Sequence, residues 1–209
     1  MKNGFKPLPR KFYEPSALVV APQLLGHWLV RDTPEGPVGG PIVETEAYIA
    51  GDAACHAARG LTPRNRVMFG PPGHAYVYFI YGCHFCVNAV CQPPGLAEAV
   101  LIRAIEAQVG LGYLRKKRGL AGGRALTNGP AKLCEAMQID RQLNGADLCA
   151  RRSGLIIAEN SQVEDFLQKR GPVVTTVRIG LTRAADLPLR FYLDRSPFVS
   201  RRAPRVRAP

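Results

Sequence analysis

The chain has 209 residues, 46% hydrophobic and 21% charged, which is ordinary globular usage and excludes a disordered protein, a fibre or a coiled coil. No apolar run reaches the roughly 18 residues of a membrane span, and 21 glycines with 18 prolines imply many turns between short elements. Lys and Arg outnumber Asp and Glu by 28 to 16, a formal net charge of +12, so the expected partner is a polyanion, whose counterions a basic surface releases on binding.

The first 15 residues are basic and Pro-rich and read as an arm strapped to the surface. Ser16 caps a predicted short helix through Leu25, with Gly26 as its stop. The apolar stretch from Ser16 to Val30 is broken by Pro22, Gln23, Gly26 and His27 and has no cleavage site, so no signal peptide is expected. His27 to Arg31 and Ile42 to Ile49 read as strands, with Asp32 to Gly36 as a turn. A long loop, Ala50 to Gly73, follows; loops of that length in a compact domain are usually functional. Ala75 to Tyr81 and Cys83 to Cys91 form a predicted hairpin with Tyr81 at its tip. Glu98 to Ile105 is the next strand. A helix is expected from Glu106 to Arg118, its basic run at the end where cations suit the helix dipole. A short helix from Ala131 to Met137 follows Asn128-Gly129-Pro130. Leu155 to Ala158, Val174 to Gly180 and Leu189 to Leu193 are late strands, and the tail after Ser200 is expected to be disordered.

Three segments carry chemistry. In Ile42 to Ile49, period two puts Glu44, Glu46 and Tyr48 on one face and Val43, Thr45, Ala47 and Ile49 on the other. The first face is either a solvated strand face or a rigidly held carboxylate beside a stacking ring. Such a carboxylate can orient and deprotonate a water, and two nearby acids can raise one another's pKa. Four of the six residues from Tyr76 to Tyr81 are aromatic. Some must be core, but an aromatic at a hairpin tip can wedge into a base stack, and others can wall a slot for a planar base. Thr62-Pro63-Arg64-Asn65-Arg66-Val67-Met68-Phe69 joins these two segments and suits phosphate contacts or loop bracing equally. Cys83-x-x-Cys86 with Cys91 has the look of half a zinc site, but Cys134 and Cys149 are isolated, so buried reduced thiols fit better.

Together these segments resemble the 3-methyladenine (alkyladenine) DNA glycosylases of the mammalian alkylpurine type. The matching blocks are 42–48, 62–69, 75–82, Phe85-Cys86-Val87-Asn88, 100–104, 128–134, Leu189-Arg190-Phe191-Tyr192 and 196–200. Eight blocks in order over nearly the whole chain make the resemblance specific. It implies a single α+β domain: a mixed, mostly antiparallel curved sheet with flanking short helices and a protruding DNA-binding β-hairpin. Residues 1–12 would be an arm and 201–209 a basic tail. Residue by residue, the resemblance makes Glu46 the general base and Arg103 the holder of the water and a phosphate. It makes Tyr48, His56 and Tyr78 the walls that stack on a flipped base. Asn88 becomes a pocket residue that discourages guanine, and Tyr81 the residue that fills the gap in the duplex. Lys132, beside the expected helix start at Pro130, becomes a further phosphate contact and Glu44 a support, while Arg64 of the basic loop is expected to contact DNA on its own residue type. Outside the resemblance, His56 reads as a loop histidine, Arg103 as a salt-bridge partner and Asn88 as a strand-end hydrogen bonder. The segment 49–55 is one residue shorter than in the mammalian form, and Phe198 stands where that form has Trp.

The resemblance implies hydrolysis by water, with no lysine nucleophile, metal or organic cofactor. The partner is double-stranded DNA containing damaged purines such as 3-methyladenine, 7-methylguanine, hypoxanthine or ethenoadenine. The expected product is an abasic site in an uncut strand. A non-catalytic reader of distorted DNA and a hydrolase of free nucleosides are the rival readings. A monomer without a membrane contact is expected, acting at the bacterial nucleoid, or in the nucleus of a eukaryote.

Overall fold

The computed structural model describes residues 4–119 and 122–203. It is α+β, built on an eight-stranded sheet in which every described pairing is antiparallel. The strands are β1 (Trp28–Thr33), β2 (Gly36–Tyr48), β3 (Ala75–Ile80), β4 (His84–Cys91), β5 (Glu98–Ile105), β6 (Leu155–Ala158), β7 (Val173–Thr176) and β8 (Arg190–Leu193). The main path runs β3-β4-β5-β2-β1-β6, and β8 pairs with both β2 and β7. The helices are α1 (Ala17–Gln23), α2 (Leu111–Arg118), α3 (Pro130–Met137) and α4 (Val163–Arg170). Among the described residues no helix is long and apolar enough to cross a membrane.

β2 organises the site. Its first half forms a hairpin with β1, and its second half lies between β5 and β8, so Glu44 to Glu46 are paired on both sides. A strand held this way is a stiff support for functional groups. The Val43, Thr45 and Ala47 face is fully buried, and the Thr45 hydroxyl donates to the Ala21 carbonyl at 2.9 Å, which seats α1 on that face. Ser16 caps α1 as expected, accepting from the Leu18 N–H at 3.3 Å. Buried Glu98 at the start of β5 completes that cap, accepting from the Ser16 hydroxyl and the Ala17 N–H at 2.8 Å each.

Several elements differ from the sequence expectation. β2 starts at Gly36, not Ile42, because Gly39 and Gly40 allow close backbone crossing within the strand. A Cβ on Gly40 would stand 1.9 Å from the Glu106 carbonyl oxygen, and one on Gly39 would stand 2.1 Å from that of Leu29. α2 starts at Leu111, since Val109 bridges to Gly39 and Gly110 takes a left-handed conformation before the helix. β7 is Val173–Thr176, shorter than the expected 174–180, and frees 177–181 for another use. α4 was not foreseen. The arm is strapped as expected: Leu8 is buried and its N–H donates to the Ile157 carbonyl at 2.8 Å. The tail is not loose at its start, because Arg190 binds the Arg201 carbonyl and the Ala203 N–H donates to the Tyr192 hydroxyl at 3.2 Å. Residues 204–209 lie outside the described residues.

Candidate active site

Register brings the candidate residues together. Glu46 pairs with Leu101, Leu101 with Asn88, and Asn88 with Tyr76, across β2, β5, β4 and β3. Directly opposed residues share a face, so alternation adds Glu44, Tyr48, Arg103, Cys86 and Tyr78 to it. A cavity of about 300 Å³ opens on this face. Tyr48, His56, Tyr78, Tyr81, Asn88 and Arg103 all line it; Glu46, Arg64 and Lys132 do not.

Both carboxylates are fully buried, which overturns the solvated-face reading of β2. Glu44 is saturated: its Oε1 accepts from Arg103 Nε at 2.9 Å, Arg190 Nε at 2.8 Å and the Ser200 hydroxyl at 2.8 Å, and its Oε2 accepts from the Ser200 N–H at 2.6 Å. Glu46 is held differently. Its Oε1 accepts from the Ile179 N–H at 2.8 Å and pairs with Arg103 Nη1 at 3.1 Å. Among the described residues its Oε2 accepts only the Tyr48 hydroxyl, at 3.0 Å. Tyr48, Arg103 and Ile179 all line the cavity, so Glu46 lies one layer beneath its surface. Burial works against the Arg103 charge, but Glu46 and Glu44 together outweigh it and hold its pKa above the ordinary value. Burial, then the negative Glu46, push the Tyr48 phenol well up, so it stays protonated as a donor.

The walls come from two elements. Tyr76 and Tyr78 stand on β3 with ring centroids 5.4 Å apart, and His56 meets Tyr78 edge-on at 4.5 Å. His56 Nδ1 shares a 2.9 Å hydrogen bond with the Tyr76 hydroxyl. The loop carrying His56 is tied by buried Asn65, whose Nδ2 donates to the His56 and Gly60 carbonyls at 2.9 Å each. The Asn65 Oδ1 accepts the Thr62 N–H at 2.7 Å. Of the two uses open to the 62–69 segment, bracing is therefore performed by Thr62 and Asn65, while Arg64 and Arg66 are exposed. Arg64 lies 5.5 Å from the Tyr78 ring centre and donates to the Phe79 carbonyl at 3.1 Å. Asn88 Nδ2 donates to the Tyr76 carbonyl at 2.9 Å, which fixes its side chain on the cavity wall.

Tyr81 is the tip of the β3–β4 hairpin and is 79% exposed. Its φ of +54° is left-handed, a conformation that costs a non-glycine residue roughly 1–2 kcal/mol. Lys132 lies in the first turn of α3, whose Pro130 and Ala131 line the cavity, and its Nζ donates to Asn128 Oδ1 at 3.0 Å. All six thiols are free; Cys83 is exposed at the hairpin tip, whereas Cys86 is buried on the cavity wall and Cys91 is buried in the core. Among the described residues no His, Cys, Asp and Glu group has the make-up of a metal site.

Sequence reasoning missed the segment after β7. Ile179, Gly180 and Leu181 line the cavity, and Ile179 acts through its backbone N–H, which no side-chain pattern reveals. It also missed what Arg190 and Ser200 do, although both lie in matched blocks: they bury and saturate Glu44.

The site sets a stiffly held carboxylate beneath an aromatic slot, with an exposed tyrosine at the slot's mouth. The family model described as "Methylpurine-DNA glycosylase (MPG)" matches residues 11–197. A protein of Methanoculleus marisnigri named "Putative 3-methyladenine DNA glycosylase" is 50% identical over 93% of this chain and 99% of its own length. Proteins of the same name from Carboxydothermus hydrogenoformans and Mesorhizobium japonicum are 48% and 45% identical, over 93% of this chain in each case and over 99% and 90% of their own lengths. The chain belongs to the methylpurine-DNA glycosylase family and is a monofunctional DNA N-glycosylase, a hydrolase of base-excision repair.

Proposed function

We propose that the enzyme flips a damaged purine nucleotide into the cavity and that Glu46 directs a water against its C1′ carbon. The water oxygen bonds to C1′ and passes a proton to Glu46 as the C1′–N bond breaks; the base leaves with the bonding electrons, and the strand is left abasic and uncut. Flipping is required because the bond is out of reach inside a duplex, and damaged bases lower its cost of a few kcal/mol. The single observation that carries this reading is the asymmetry of the two carboxylates: Glu44 is saturated, whereas Glu46 Oε2 has only the Tyr48 hydroxyl among the described residues.

Tyr48, His56 and Tyr78 stack on the flipped base, and Asn88 meets the edge where guanine carries its 2-amino group. Arg103 neutralises Glu46 and faces the nucleotide's phosphate. Tyr81 fills the gap in the duplex, while Arg64 and Lys132 contact phosphates. Electron-rich walls favour cationic rings such as 3-methyladenine and 7-methylguanine; hypoxanthine and ethenoadenine are neutral members of the substrate range. The enzyme works as a monomer on DNA at the bacterial nucleoid.

Duplex oligonucleotides carrying one hypoxanthine or one ethenoadenine test the reading. After incubation and hot alkali, strand cleavage with the wild type and none with Glu46→Gln is expected. Equal cleavage by both proteins would remove Glu46 from its role. No cleavage by either, with tight binding to the lesion, would favour a substrate range confined to alkylated purines or a non-catalytic reader.

A further inference from the structure

We infer that Arg178, paired with Asp52 behind Tyr48, sets how strongly the pocket takes cationic relative to neutral purines. This rests on the base-excising function proposed above. Arg178 is only 4% exposed and is not among the cavity-lining residues, whereas Tyr48 is. Its guanidinium carbon lies over the Tyr48 ring, 4.7 Å from the centroid. The ring thus has a permanent cation on one face. A guanidinium draws on the same π density that would attract a cation on the other face. A base stacked on Tyr48 at van der Waals contact, roughly 3.5 Å, would have its ring charge about 8 Å from Arg178, close enough for repulsion in a buried site.

The fold keeps that cation in place with several bonds. Arg178 Nη1 donates to the Ala47 carbonyl at 3.0 Å and to Asp52 Oδ2, and Nη2 donates to Asp52 Oδ1 at 3.0 Å and the Ala184 carbonyl at 3.2 Å. Asp52 is equally buried and also accepts the Ala54 N–H at 2.9 Å. The next residue after Arg178 supplies the N–H that holds Glu46. Arg178 is therefore a positioning residue that acts through Tyr48. Around the cavity, Arg103, Arg178 and Arg190 balance Glu44, Glu46 and Asp52. Removing either member of the Arg178–Asp52 pair leaves one unbalanced charge beside the base, negative in one case and positive in the other.

That sign difference supplies a test which a purely structural clamp would fail. Single-turnover excision of 7-methylguanine, a cation, and hypoxanthine, a neutral base, is measured from otherwise identical duplexes. Arg178→Met is expected to raise the ratio of the first rate to the second, and Asp52→Asn to lower it, each by about threefold or more. The charge-free Arg178→Met, Asp52→Asn double variant has no orphaned charge and guards against misfolding of the singles; its ratio rises by less than that of Arg178→Met. The inference is overturned if both single variants move the ratio the same way, if both rates fall with the ratio fixed, or if the double variant leaves the ratio unchanged. A wild type that excises only the cationic base also overturns it. Excision of neither base by the wild type refutes the function reading itself.

Discussion

Glu44 and Glu46, two residues apart on β2 and both fully buried, share the guanidinium of Arg103, which reaches Glu44 through Nε at 2.9 Å and Glu46 through Nη1 at 3.1 Å. The bulge in the β2–β5 register at Glu44 lets one arginine face both carboxylates. Arg190 and Ser200 then close off Glu44, so two chemically identical groups on one strand are prepared for different work.

Neutralising each carboxylate should separate those tasks. Glu46→Gln keeps an oxygen for the Ile179 N–H but loses the base, and excision should fall by about 10²- to 10⁴-fold while lesion binding persists. Glu44→Gln leaves two buried arginines short of a counter-charge, a loss of about 3–5 kcal/mol, which in a chain of this size lowers Tm by roughly 10 °C. Calorimetry of both variants, with excision measured where both are folded, checks the pair. Excision lost equally in the two variants, with no difference in Tm, would refute the division.

Much of this arrangement is legible in the sequence. The alternation of Glu44, Glu46 and Tyr48 against Val43, Thr45 and Ala47 gives the two faces of β2, and the aromatic run gives β3 with Tyr81 at its tip. What the residues do not disclose is burial on both faces. An isolated strand with two acids reads as solvated, because its counter-ions, Arg103 and Arg190, come from β5 and β8, and a further donor, Ser200, lies 156 residues from Glu44. Residues 37–41 carry no strand pattern for a similar reason: the backbone that Gly39 and Gly40 make room for belongs to β1 and to residues 106–107. Ile179 acts through its amide, and Arg178 is one arginine among many until the fold lays it on Tyr48.

Tyr81 projects from a strained tip and makes little of the core, so Tyr81→Ala should change folding stability by no more than about 0.5 kcal/mol. Duplex binding should weaken by about 10- to 100-fold, the worth of one lost aromatic stack. The loss should be larger for a lesion in a fully paired duplex than for one opposite a mismatch, where the gap is cheaper to open. Equal losses in the two contexts, by fluorescence anisotropy, would argue that Tyr81 does not fill the gap.

Gly40 is fixed by crowding rather than by its own dihedral. Gly40→Ala would press a methyl group into the Glu106 carbonyl, and the β2–residue 106 crossing should open at a cost beyond about 3 kcal/mol. Gly112 in α2 has open space around it, so Gly112→Ala should stabilise by about 0.5–1 kcal/mol. Denaturant titration of the two variants should give opposite shifts of the midpoint; equal shifts would contradict the crossing as the constraint.

His56 gives the site a dependence on acid. Burial first, and the nearby Arg64 cation second, hold its imidazole below the ordinary histidine value. At neutral pH the ring is therefore uncharged and can stack against a base beside Tyr78. Below an ordinary value of about 6.5 the unfolded chain binds the proton before the folded one does. Stability is therefore full above that pH and declines as pH falls toward the folded midpoint, and His27, lowered by burial, adds in the same direction. Excision of cationic purines should decline over the acid limb as well, because a charged His56 repels them. Arg64→Ala removes the second cause and should move the His56 midpoint up toward the ordinary value, whereas His56→Gln should abolish this part of the acid limb. Ring-proton NMR titration of the four histidines, assigned with His56→Gln, reads both midpoints. A His56 midpoint at or above the ordinary value, or one that Arg64→Ala leaves in place, would show that the imidazole does not sit in the dry, positively biased wall that His56, Tyr76 and Arg64 form.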